Sequence, residues 1–224
     1  MKKGLFAMLP AILFMAGIFI LNGCKKENDE PETVTDIDGN VYNIIKIGNQ
    51  EWLDRNLNVT RYRNGDPLLQ GLTGANEQGA WINYGNSEAN GEIYGKLYNS
   101  FAVHDARGLA PVGWRVPTRN EWEELINLMG GFDVAGGKLK ERGLEHWLDP
   151  NADATDDYGF KALPGGYAGG TGVYLGNYAS FWTSTRIRED TNETNNFWFY
   201  YNNATVERDS DYGGSGYSVR CIRD

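Results

Sequence analysis

The chain has 224 residues, 41% hydrophobic and 23% charged, enough for one sizeable core; this excludes a disordered chain and a multi-span membrane protein. A formal charge of -9 excludes a basic face for nucleic acid, and two cysteines with two histidines exclude a disulfide framework, a four-thiolate zinc site and a multi-histidine centre. The 29 glycines, with 7 Trp and 13 Tyr, predict a turn-rich fold of short strands and few helices.

Met1-Lys2-Lys3 is a basic head, and Gly4 to Leu21 is an apolar stretch without charge that ends in Leu21-Asn22-Gly23-Cys24. About 18 apolar residues could just span a bilayer. The basic head, the small residue and the adjacent cysteine instead make a signal sequence meant for removal. The ending resembles a bacterial lipobox. That resemblance implies that residues 1–23 are cleaved, that Cys24 carries palmitate-type acyl chains, and that the partner of the N-terminus is the outer membrane. More than one chain on a single residue suffices for stable anchoring. Loss of Lys2 and Lys3 takes the formal charge from -9 to -11. Residues 24–33 form an acidic tether with nothing to bury. It resembles the surface-export signal of lipoproteins in Bacteroidetes-like bacteria, which implies a place at the cell surface.

The folded domain spans 34–224. Asp36-Ile37-Asp38-Gly39-Asn40, ahead of Val41-Tyr42-Asn43-Ile44-Ile45-Lys46-Ile47, predicts a hairpin turn. A calcium loop is the alternative, but Val41 and Ile47 stand where an EF-hand needs Gly and Glu. Residues 61–90 form a long polar stretch expected to be a loop. Thr118-Arg119-Asn120-Glu121 predicts a capping box, and Trp122, Leu125, Ile126 and Met129 form one apolar stripe stopped by Gly130-Gly131. A second helix is expected over Ala135 to Arg142. After Gly159 the pattern is short strands and turns, including Phe197-Trp198-Phe199-Tyr200-Tyr201.

Two resemblances follow. Gly113-Trp114-Arg115-Val116-Pro117-Thr118-x-x-Glu121-Trp122 and Gly216-Tyr217-Ser218-Val219-Arg220-Cys221 resemble segments of the formylglycine-generating, sulfatase-modifying superfamily. More closely, Thr35-Asp36-x-Asp38-Gly39-Asn40-x-Tyr42, Gly48-x-Gln50-x-Trp52 and Asn56-Leu57 are similar to the Fibrobacter succinogenes major paralogous domain. So are Tyr94-Gly95-Lys96-Leu97-Tyr98-Asn99, Arg107-Gly108-Leu109-Ala110-Pro111 and Phe160-Lys161-Ala162-Leu163-Pro164-Gly165-Gly166. The resemblance implies an α+β fold of the C-type-lectin-like kind, with short twisted antiparallel sheets, one or two helices and long irregular loops. It implies no established activity.

The superfamily's oxidases use a reactive cysteine pair. With Cys24 lipidated, Cys221 alone remains, and its alternation with Tyr217 and Val219 points it into a core. His104 and His146 lack a paired ligand motif, and Ser100, His104 and Asp105 lack a nucleophile elbow. No catalytic residue is assigned. Asp149, Asn151, Asp153 and Asp157 alternate as oxygen donors on a turn-forming segment; they suit calcium, the one cofactor considered, or simply make a solvated acidic turn. Trp198 and Tyr200 share the sheet face opposite Phe197 and Phe199. With Tyr167 and Tyr174 they are the candidate ligand-binding aromatics, the alternative being two-sided burial.

The expectation is a surface-anchored, non-enzymatic recognition or adhesion module with a glycan or protein ligand. An enzyme of the formylglycine-generating type and an envelope structural protein are the alternatives.

Overall fold

The computed structural model describes residues 1, 32–72, 77–169 and 172–224. The leader, Cys24 and nearly all of the acidic tether therefore lie outside the described residues. Pro31–Asp224 is one unit by its contacts. Among the described residues no helix is long and apolar enough to cross a membrane.

In chain order the strands are β1 (Thr33–Thr35), β2 (Val41–Ile47), β3 (Gln50–Leu53), β4 (Leu69–Gln70), β5 (Ala80–Ile82), β6 (Leu97–Tyr98) and β7 (Trp114–Arg115). Then come β8 (Tyr178–Arg186), β9 (Glu193–Tyr200), β10 (Val206–Tyr212) and β11 (Ile222–Arg223). The helices are α1 (Glu88–Tyr94), α2 (Ser100–His104), α3 (Arg119–Leu128) and α4 (Ala135–Leu139). They build three sheets, ordered β1-β2-β3-β11-β7, β10-β9-β8 and β4-β5-β6, antiparallel throughout except for the β4–β5 pair. The fold is mixed α and β, with short antiparallel sheets and few helices.

The Asp-Gly turn forms as its residues demand. Asp36 Oδ1 accepts from the amides of Asp38 and Asn40, both at 2.9 Å, and its other oxygen accepts from the Tyr42 hydroxyl at 2.6 Å. Gly39 takes φ +89°, a conformation that a Cβ disfavours. Asp36 therefore serves the hairpin.

α3 starts where expected. Thr118 Oγ1 accepts from the Glu121 amide at 3.3 Å, and the Glu121 carboxylate accepts from the Thr118 amide at 2.8 Å. Its stripe enters a core built on Trp52, Trp147, Phe160, Phe181, Phe197 and Phe199, where the Trp122 ring lies 5.1 Å from Trp52 and 5.2 Å from Phe181. Each such fully buried side chain contributes about 2–3 kcal/mol. A second core gathers Tyr42, Leu53, Trp114, Trp182, Tyr217, Val219 and Cys221 on the other side of the first sheet's central strands.

Three expectations need correction. Four helices form among the described residues instead of one or two, because Ser87 and Asn99 cap short helices that carry no long apolar stripe. α4 stops at Leu139 instead of reaching Arg142, because the chain straightens at Lys140, whose buried ammonium donates to the carbonyls of Ala152, Tyr200 and Asn203 at 2.8–2.9 Å. The stretch 61–90 is not one loop. It carries β4, β5, a 3₁₀ turn over Tyr84–Asn86 and the start of α1, which Ser87 caps by accepting from the Asn90 amide.

Candidate functional site

β8, β9 and β10 form a ribbon with two unlike faces. Phe181, Phe197, Phe199 and Val206 point into the core behind α3. On the other face the register sets Tyr178 opposite Tyr200, Ser180 opposite Trp198, and Trp198 in turn opposite Glu207. Alternation then puts Asp209 and Asp211 on that same face.

The aromatic residues singled out from the sequence come together there. Tyr167 stacks on Tyr174 at 6.0 Å, Tyr174 meets Tyr178 edge-on at 5.3 Å, Tyr178 meets Trp198 at 5.7 Å, and Trp198 returns to Tyr167 at 5.2 Å. The four rings close a circuit, and Tyr200 extends it from Tyr178 at 5.4 Å. Tyr217 lies beneath, 5.4 Å from Trp198. Neither extreme expected from the sequence holds. Tyr167 and Trp198 are half-buried against the second core, whereas Tyr174 is 52% exposed at the tip. Tyr174 follows Val173, which exchanges both backbone hydrogen bonds with Tyr167, and it holds φ +65°. Tyr178 was not singled out by the sequence, since its place in the circuit comes from cross-strand pairing alone.

Acidic groups line the platform on the β10 side. The Tyr200 hydroxyl donates to Glu207, the Tyr217 hydroxyl donates to Asp211 at 2.6 Å, and Trp198 Nε1 donates to Asn196 Oδ1 at 2.7 Å. Burial and the Glu207 carboxylate raise the Tyr200 phenol well above its ordinary value, so it stays a neutral donor. The arrangement offers aromatic faces beside hydrogen-bond acceptors.

Among the described residues the calcium candidates form no close group of carboxylates. The Asn151 side-chain amide donates to the carbonyls of Glu141 and Gly143 at 2.8 and 2.7 Å, which makes it a buried clamp on that loop. Asp149, Asp153 and Asp157 form no group of three acidic or imidazole ligands within 4.8 Å among the described residues. The group that does is Glu141, Glu145 and His146, in which His146 Nδ1 is already 2.8 Å from the Glu141 carboxylate.

The catalytic arrangements also come apart. His104 Nε2 meets Thr194 Oγ1 at 2.9 Å, Asp105 is held by Arg107 at 2.7 Å, and Ser100 is buried with its hydroxyl toward the Asn192 carbonyl. Burial pushes the Cys221 thiol up to about 12, so it carries no thiolate at neutral pH.

Lys96 and Arg220 of the sequence motifs are framework residues. Lys96 donates to Asn58 Oδ1 at 2.8 Å and lies 4.6 Å over the Trp81 ring. Arg220 lies 4.3 Å over Phe160 and donates to Asn56 Oδ1 at 2.8 Å and to the Leu53 carbonyl at 3.2 Å. No curated protein and no solved structure matches the chain. The model of one family, the Fibrobacter succinogenes major domain, matches residues 45–223 and so takes in every motif quoted for that family except Thr35 to Tyr42, which precedes it. With about four-fifths of its length matched, the chain belongs to the Fibrobacter succinogenes major domain family.

Proposed function

We propose that the domain is a non-enzymatic recognition module whose outer aromatic face binds a glycan. The observation that carries this reading is the closed circuit of Tyr167, Tyr174, Tyr178 and Trp198 beside the Glu207, Asp209 and Asp211 row. Sugar C–H faces pack on aromatic rings, and sugar hydroxyls donate to carboxylates. The left-handed backbone at Tyr174 supports the same reading, because strained non-glycine residues gather at ligand clamps.

The lipobox-like Leu21-Asn22-Gly23-Cys24 supports attachment to the outer membrane through lipid on Cys24, with the domain at the cell surface. Replacing Cys24 with Ser should release the chain from the membrane fraction; unchanged detergent-phase partitioning would mean a transmembrane anchor instead. Curled short sheets, few helices and the Arg115-Val116-Pro117-Thr118 segment support assignment to the C-type-lectin-like kind of fold. The inert Cys221 weighs against oxidase chemistry of the formylglycine-generating type. Incubation with copper, oxygen and a cysteine-bearing peptide should therefore yield no aldehyde.

A glycan array probed with the full chain tests the main reading. A hit should weaken about fivefold in the Tyr174→Ala variant, the loss of roughly 1 kcal/mol of aromatic contact at an exposed position. An array without hits, or a hit indifferent to Tyr174, would sink the platform as the binding site.

A further inference from the structure

At the far end of the same ribbon, β8 is broken by a bulge between Trp182 and Arg186. The bulge is pinned in place. Thr183 Oγ1 donates to the Asn195 carbonyl at 3.0 Å and accepts from the Thr185 amide at 3.1 Å. The Asn195 side chain donates to the Thr185 carbonyl at 3.0 Å, and the Ser184 amide donates to the Pro117 carbonyl at 2.8 Å. Bulges re-aim side chains, and this one sets Arg186 on the wall of a 420 Å³ cleft beside α2, with Tyr62, Gln78, Phe101, His104 and Arg107. A second opening of 410 Å³, reached past Ser184 and Glu189, shares His104 and Arg186 with the first.

The two arginines of this cleft differ. Arg107 is neutralised by Asp105 at 2.7 Å and Asp66 at 3.2 Å, and it stacks 3.9 Å over the Tyr62 ring. Arg186 has no ion-pair partner among the described residues, and its buried Nε has no hydrogen-bond acceptor there. A partly desolvated guanidinium without an anion is costly, the more conspicuously so in a chain of formal charge -9. We infer that Arg186 is the anchor of a second binding site, one that takes the carboxylate of an acidic monosaccharide.

The chemistry favours that class of ligand. A planar guanidinium matches a carboxylate through two parallel hydrogen bonds. Glu77 and Glu189 on the walls would repel a dianion such as a phosphate monoester, so a single negative charge suits the site. Gln78, Ser184 and the His104 imidazole supply partners for hydroxyls. Burial, with the positive charge of Arg186, holds the His104 pKa down at about 4, so its ring is neutral and can accept or donate. The register pairs Tyr178 with Tyr200 and Arg186 with Thr194, so six steps of β9 separate the two positions, about 20 Å. This site is therefore distinct from the aromatic platform, and either can fail alone.

The test uses the full chain with labelled histidines. With only two in the sequence, the ring signals of His104 and His146 are separable. Galacturonate should shift the His104 signal and raise its pKa, while galactose, which differs by lacking the carboxylate, should not; His146 should stay still. Arg186→Gln should weaken the galacturonate response about tenfold or more, and Arg186→Lys, which keeps the charge but loses the fork, should fall between. Equal responses to the two sugars, no response to either, or full binding by a folded Arg186→Gln chain would overturn the site. Acetate binding as tightly as galacturonate would overturn its assignment to a sugar. The comparison of the two sugars on the unmodified chain stands even if a variant fails to fold.

Discussion

Arg220 and His104 show how burial acts on single side chains here. Arg220 is fully buried, and its guanidinium reaches Asn56, Leu53 and Phe160 from the end of the chain. Burial lowers it to about 10, so it stays charged at neutral pH. Arg220→Ala would leave several acceptors unpaired around a cavity, and chemical denaturation should show a loss of about 3–5 kcal/mol. His104 behaves differently. Its folded pKa of about 4 lies below the ordinary 6.5, because burial disfavours the charged ring and Arg186 repels it. As pH falls through that window the unfolded chain takes the proton first, so stability declines between about 6.5 and 4. His104→Gln should flatten this slope in denaturant midpoints measured across that range. The loss below it should persist, since the depressed carboxyl of Asp105, held at about 2 by Arg107, contributes stability that disappears only at lower pH. An unaltered slope in the variant would mean that His104 is not the group responsible.

Among the elements, α3 is the one whose local rules and tertiary role agree most fully. Glu121 serves the cap, the Thr118 hydroxyl and the Arg115 guanidinium together. Thr118→Ala should cost about 1 kcal/mol through the lost cap, read from a shifted midpoint at unchanged denaturant slope. A melt identical to wild type would show that the cap adds nothing. β5 is the opposite case. Ala80, Trp81 and Ile82 are all buried, so the strand lacks the alternation that marks a half-buried one, and its three residues are too few to stand out. β10 combines two roles. Glu207, Arg208 and Asp209 are exposed along the edge of the ribbon, a charge pattern that resists pairing with another chain, and the same carboxylates border the aromatic platform.

At the scale of the whole molecule, the last strand is the closing piece. β11 lies between β3 and β7, where Ile222 pairs with both Trp52 and Arg115. Arg223 adds ion pairs to Glu32 and Glu51, both at 2.6 Å, tying the end of the chain to its first strands. Removing residues 220–224 would open two strand edges and take Arg220 from the core. Such a chain should lose its cooperative unfolding transition in circular dichroism, and retention of a sharp transition would refute the closing role of β11. So many contacts between distant parts of the sequence also imply slower folding than in a helical bundle of this size.

Local rules made several features legible without any structure. The hairpin at Gly39, the capped start and glycine stop of α3, and the inward alternation of Tyr217, Val219 and Cys221 each depend on neighbours within a few residues. Trp198, Tyr200, Tyr167 and Tyr174 were readable as aromatic residues in turn-rich surroundings, yet their meeting in one circuit was not. That meeting depends on the β8–β9 register and on the pairing of Tyr167 with Val173 beside the ribbon. Arg186 shows the same limit more strongly. It is an ordinary arginine at the end of a strand until a bulge and a distant helix set it in a cleft, with no ion-pair partner among the described residues. Backbone preferences act over one or two turns of chain and are written locally, whereas burial, charge pairing and ring contact depend on which distant segments the fold brings together.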